Sequence, residues 1–163
     1  MSTKPCLIVF YSRTGVTRTA AQRLAEAVPA DLEEIHEEKD RAGILGWIGA
    51  GRDATLKRRT KILPPEKNPA DYAVVAIGTP VWAFTLAPPA RAYLDQMKLR
   101  LPKVAFFCTM GSSGADRTFR VMTELAAREP LATMALVEKA VRAGACEAEI
   151  EAFAAALRTG SKQ

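Results

Sequence analysis

The sequence predicts an α/β protein built on a parallel sheet with helices packed on both faces. Two observations carry that prediction. Residues 6–11, 73–77 and 104–108 are apolar runs of strand length, and continuous rather than alternating hydrophobicity marks strands covered on both sides. Helical patterns stand between most of the strand-like segments, and strands alternating with helices through right-handed crossovers build a parallel sheet.

The elements follow in order. The first strand is the run Cys6, Leu7, Ile8, Val9, Phe10, Tyr11. Residues 17–28 put Ala21, Leu24 and Val28 on one helical stripe, and Pro29 ends it. A weaker strand at 31–35 belongs at a sheet edge. The crossover that follows is long. Its segment 43–59 carries Ile44, Leu45, Trp47, Ile48 and Leu56, with Gly46, Gly49 and Gly51 weakening any helix. It is either a crossover helix packed on the sheet or a mobile flap or partner surface near the cleft. The cluster Lys57, Arg58, Arg59, Thr60, Lys61 lacks interleaved aromatics and reads as a solvated face, not a nucleic-acid site. The third strand is 73–77. A helix over 87–97 places Ala87, Ala90, Leu94 and Met97 on one face, with Pro88 and Pro89 in its first turn. Strand 104–108, helix 115–127, an edge strand at 133–138 and helix 146–158 complete the pattern, and 160–163 reads as a frayed tail.

At 163 residues, 48% hydrophobic and 25% charged, the chain suits one domain spanning residues 1–163. No apolar run reaches membrane-helix length and the N-terminus lacks a signal-peptide pattern. Cys6, Cys108 and Cys146 are widely spaced, odd in number and set among apolar residues. They read as buried small hydrophobes in a reducing, cytoplasmic setting. The single histidine, His36, reads as a surface residue. The formal net charge of +5 bears on partners rather than on fold.

Three segments lie where open α/β sheets bind ligands, beyond the carboxyl ends of the strands. The first is Ser12, Arg13, Thr14, Gly15, Val16, Thr17. A helix start after a tight glycine turn presents unpaired N–H groups and the positive end of the helix dipole, which suits an anion. The same residues taken alone also suit a plain helix cap. The loop is neither a Walker A motif nor a G-x-G-x-x-G fingerprint. The second segment, 78–85, sets Pro80, Val81, Trp82, Ala83, Phe84 and Thr85 beyond the third strand, with two aromatics able to wall a planar ring. The third is Thr109, Met110, Gly111, Ser112, Ser113, Gly114. Its small residues let backbone amides approach a ligand edge. Together the three suit a planar cofactor with a phosphorylated tail.

On these three segments the chain resembles the flavodoxin-like family of FMN-binding proteins, from residue 5 to about 158. The resemblance implies a three-layer sandwich with a five-stranded parallel sheet in the order 2-1-3-4-5. Flavodoxin is itself a standard instance of the switch-point rule, with FMN between strands one and three. The span between the helix ending near 127 and Thr133 is short, which matches the short-chain type. The resemblance further implies that Ser12, Thr14, Gly15, Val16 and Thr17, with the amide of Arg13, hold the FMN phosphate. Residues 80–85 would line the isoalloxazine, through Trp82 or Phe84, and 109–114 its pyrimidine side. No catalytic side chain and no metal group is evident. Three functions stay open: an electron carrier or small oxidoreductase, an NAD(P)H-dependent reductase of quinone-type acceptors, and a non-catalytic binding module. The partner is a redox protein or a small electron acceptor. Arg13, Arg18, Arg52 and Arg117 are expected to rim the cleft.

Overall fold

Lys4–Phe10 form β1 in the computed structural model, which describes residues 3–38 and 60–163. Then come α1 (Val16–Ala27), β2 (Asp31–Glu34), β3 (Tyr72–Trp82), β4 (Thr85–Leu86) and α2 (Pro88–Met97). β5 (Lys103–Met110), α3 (Ala115–Ala126), β6 (Thr133–Val137), α4 (Glu138–Ala143) and α5 (Glu147–Lys162) complete the order. The sheet runs β2-β1-β3-β5-β6, and every one of those neighbours is parallel. β4 is a two-residue strand folded back antiparallel on the end of β3. Without it, the parallel strands stand in the order 2-1-3-4-5 implied by the resemblance.

Successive β1 side chains feed opposite cores. Cys6, Ile8 and Phe10 pack with Leu24 of α1 and with Phe153 and Leu157 of α5. Leu7 and Val9 share the other layer with Tyr93 and Leu94 of α2 and Met122 of α3. Both faces are covered from Cys6 to Phe10, so none of those five positions favours a polar residue, whereas Lys4 and Pro5 at the start of the strand are exposed. β2 and β6 lie at the edges, and neither is buried along its whole length. Gly78 in β3 exists because the Phe107 ring lies across it. A Cβ there would stand 2.1 Å from Phe107 Cζ.

Four expectations need correction. β3 continues past Ile77 to Trp82, so 78–85 is the end of a strand and a hairpin rather than a loop. α4 went unpredicted, being one short turn and a half closed by left-handed Gly144. α5 runs through Gly160 to Lys162 instead of fraying. Gly160 packs beneath Leu131 and Val74, and its carbonyl accepts from Lys103 Nζ. β1 ends one residue early, although Tyr11 N still donates to Gly78 O at 3.1 Å. Segment 43–59, with Trp47, Arg52 and Lys57–Arg59 of the basic cluster, lies outside the described residues. The three cysteines are free and buried, as expected. Among the described residues, no helix is long and apolar enough to cross a membrane.

Candidate functional site

The turn after β1 is held by its own atoms. Ser12 Oγ accepts from Gly15 N at 3.1 Å, and Gly15 takes a left-handed φ of 98° as the residue before α1. Gly15 O then receives both Thr19 N (3.0 Å) and Thr19 Oγ1 (2.9 Å). That is the first intrahelical bond, so the amides of Val16, Thr17 and Arg18 precede it. No side chain caps them, and the first turn holds no acidic residue. An ordinary capping hydroxyl would sit on one of the first helical amides. The Ser12 hydroxyl instead braces the loop. Thr14 is exposed and its hydroxyl has no hydrogen-bond partner among the described residues.

A second glycine-led helix start lies alongside. Gly114 has φ 105° and its carbonyl accepts Thr118 N (3.1 Å) and Thr118 Oγ1 (2.7 Å), the pattern of Gly15 and Thr19 repeated. α3 differs from α1 in carrying Asp116 in its first turn. That carboxylate opposes an anion there. The start of α1 is therefore the better anion site of the two. Gly111, Ser112 and Ser113 are exposed, and a Cβ on Gly111 would meet nothing within 4 Å.

The aromatic wall is a two-residue hairpin. Pro80, Val81 and Trp82 end β3, and Thr85 pairs back with Trp82. Both turn residues have positive φ, Ala83 at 51° and Phe84 at 64°. Such turns favour asparagine and glycine, and a bulky side chain there costs about 1–2 kcal/mol. Backbone outliers held by their surroundings cluster at ligand sites. Thr79 Oγ1 accepts Ala87 N at 3.0 Å and steadies the chain as it leaves the hairpin. Phe84 is 59% exposed. Trp82 is half-buried, with Tyr11 edge-on at 5.6 Å and the Arg13 guanidinium over its ring at 5.5 Å. Tyr11 OH donates to Glu37 at 3.2 Å, and burial first, then that carboxylate, raises the phenol's pKa. Thr85 Oγ1 is a buried hydroxyl without a partner among the described residues.

The three segments touch one another. Arg13 over Trp82 joins the first to the second. A Cβ on Gly114 would meet Val81 Cγ1 at 2.7 Å and Phe84 Cα at 3.3 Å, so the third abuts the hairpin. Thr17 and Thr109 meet hydroxyl to hydroxyl at 2.7 Å, which closes the triangle between first and third. Of the expected rim arginines, Arg13 and Arg117 are exposed. Arg18 is instead tied to Glu34 at the end of β2, its Nε at 3.1 Å. Tyr11 was not anticipated as a site residue, although an aromatic at the last position before such a turn is a readable signal. His36 is exposed beside Glu34, as a surface residue should be. Two hollows lie elsewhere, one between β2, residues 62–67 and Tyr93, the other along β6. Neither includes a residue of the three segments. The first contains the Glu33 carboxylate, which already accepts from Glu66 N and Lys67 N, so an anion is not favoured there.

The sequence model of the family described as Flavodoxin matches residues 5–141. The chain belongs to the flavodoxin family. Solved structures agree on the fold. A flavoprotein from Lactobacillus acidophilus, solved in complex with FMN, superposes with TM-score 0.68 at 23% identity over 87% of this chain and 98% of that one. The two-electron reduced flavodoxin of Megasphaera elsdenii gives TM-score 0.58 at 18% identity, covering 97% and 99%. An NADH:FMN oxidoreductase in its apo form gives 0.57 at 13%, covering 97% and 89%. None of the curated proteins matches. Within this flavodoxin-family chain, the three segments lie at the carboxyl ends of β1, β3 and β5, the central strands.

Proposed function

We propose that the chain binds FMN across these three segments and passes electrons between a reductant and an acceptor. One observation carries the reading: the start of α1 offers uncapped amides, an exposed Thr14 hydroxyl and no carboxylate. That donor set fits a phosphate monoester. Family membership and the FMN bound to the L. acidophilus flavoprotein support the choice of cofactor.

Residues 12–17 hold the phosphate, with Gly15 bringing the backbone close. Residues 80–85 wall the ring system, Trp82 being steadied by Tyr11 while Phe84 faces outward. Residues 110–114 bring amides to the ring's polar edge. FMN supplies one- and two-electron chemistry when bound, and the protein supplies position and charge. Arg13, held over Trp82, places a fixed cation beside the ring. It stabilises negative charge there, so the flavin is less reducing than in acidic flavodoxins. Three buried free thiols support action in a reducing compartment such as the cytoplasm.

The exposed guanidinium groups of Arg13 and Arg117 favour a second reading, an NAD(P)H-dependent reductase, because they suit the phosphates of a nucleotide donor. The absorbance spectrum of the purified protein, followed by quenching of added FMN fluorescence, tests the first proposal. Rapid mixing with NADPH separates the two readings. Fast bleaching of bound flavin makes the chain a reductase, and a flavin that stays oxidised makes it a carrier.

A further inference from the structure

Thr17 and Thr109 lie 92 residues apart in the chain, and their hydroxyl oxygens meet at 2.7 Å. Both residues are 1% exposed. Each hydroxyl owns one proton, so the contact uses one and leaves one. Neither hydroxyl has a further hydrogen-bond partner among the described residues. A buried O–H without an acceptor is unfavourable, so the pair suits an acceptor that arrives from outside. The two threonines are not equivalent. Thr17 is the second residue of α1, beside the uncapped amides. Thr109 lies within β5, paired in register with Pro80 of β3.

We propose that Thr109 is a positioning residue for the phosphate site. It donates its proton to Thr17 Oγ1, which leaves the Thr17 proton to point outward, at the phosphate of FMN. Accepting that bond also polarises the Thr17 O–H and makes it a stronger donor. The opposite polarity would leave the Thr109 proton in the sheet with nothing to receive it. Thr109 thereby serves the phosphate end of the cofactor rather than its ring, the end the sequence pointed to. The inference rests on the FMN reading.

Thr109→Val in the full chain keeps the shape and removes the hydroxyl. Affinities for FMN and for riboflavin, which lacks the phosphate, are read by flavin fluorescence quenching. The FMN Kd should rise about five- to tenfold while the riboflavin Kd stays within about twofold. Thr109→Ser should restore native FMN affinity. Thr17→Val removes the outward proton itself, so the double variant should bind FMN no more weakly than Thr17→Val alone. If Thr109→Val does not fold, Thr109→Ala carries the same comparison. Equal weakening of both flavins would make Thr109 part of the ring wall and overturn the proposal. Unchanged FMN affinity would reduce the pair to a brace between helix and sheet. A native chain that binds neither flavin would end the FMN reading itself, an outcome visible before any variant is made.

Discussion

Replacing Thr14 by alanine isolates the phosphate contact from the fold. Thr14 is exposed and its hydroxyl is unbonded among the described residues, so its loss should leave the melting temperature unchanged. Thr17 offers no such clean test, because removing it strands the buried Thr109 hydroxyl at a cost of about 1–3 kcal/mol in stability. A hydrogen bond to a charged group contributes about 1.5–3 kcal/mol. Thr14→Ala should therefore weaken FMN binding about 10- to 150-fold. Thr14→Asp should weaken it further. A carboxylate ~5 Å from a phosphate dianion adds about 2 kcal/mol of repulsion even at the dielectric of water. Isothermal titration with FMN at fixed ionic strength reads all three proteins. The order native, Thr14→Ala, Thr14→Asp is expected, with the Asp variant recovering partly in high salt. FMN affinity in Thr14→Ala within twofold of native would refute the reasoning, because the loop would then be only a turn.

Further tests address other parts of the account. Gly78→Ala drives a Cβ into the Phe107 ring and should destabilise the fold by about 1–3 kcal/mol in urea titrations, and a neutral result would contradict the packing. Arg13→Gln removes the cation over Trp82, so redox titration should find the bound flavin more reducing than in the native chain. An unchanged potential would separate Arg13 from the ring. Burial pushes the Cys6 and Cys108 thiols from 9.0 up to about 12. Their folded-state pKa values stand above the unfolded ones, so this stabilisation is complete below pH 9 and is lost as pH rises toward 12. The loss is about 1.4 kcal/mol per pH unit for each thiol. Burial raises the Cys146 thiol and the Tyr11, Tyr72 and Tyr93 phenols as well. Unfolding midpoints measured between pH 7 and 11 should therefore fall above pH 9 and fall less steeply in Cys108→Ala, and a flat profile would contradict the burial.

What could be read from sequence depended on how local its cause was. β1 was legible because covering both faces leaves a continuous apolar run. The extension of β3 was hidden by Gly78 and Pro80, which look like chain breakers. Gly78 is there for a ring on the neighbouring strand, which no local pattern reveals. The hairpin escaped because Ala83 and Phe84 hold φ values usually left to asparagine and glycine. α4 is too short for periodicity to show. Gly160 reads as the start of a frayed tail, yet it is a packing contact under Leu131. The turn at 12–17 could be found because its glycine and hydroxyls are consecutive. Its ties to Trp82 and Thr109 depend on tertiary packing and emerge only with the fold.

The central claim is that an unshielded helix start between β1 and α1 grips a phosphate. The native protein's affinity for FMN compared with riboflavin tests it most directly. The account predicts that FMN binds at least about 100-fold more tightly, since the phosphate meets several charge-assisted donors. Equal affinity for the two flavins, or binding of neither, would contradict it.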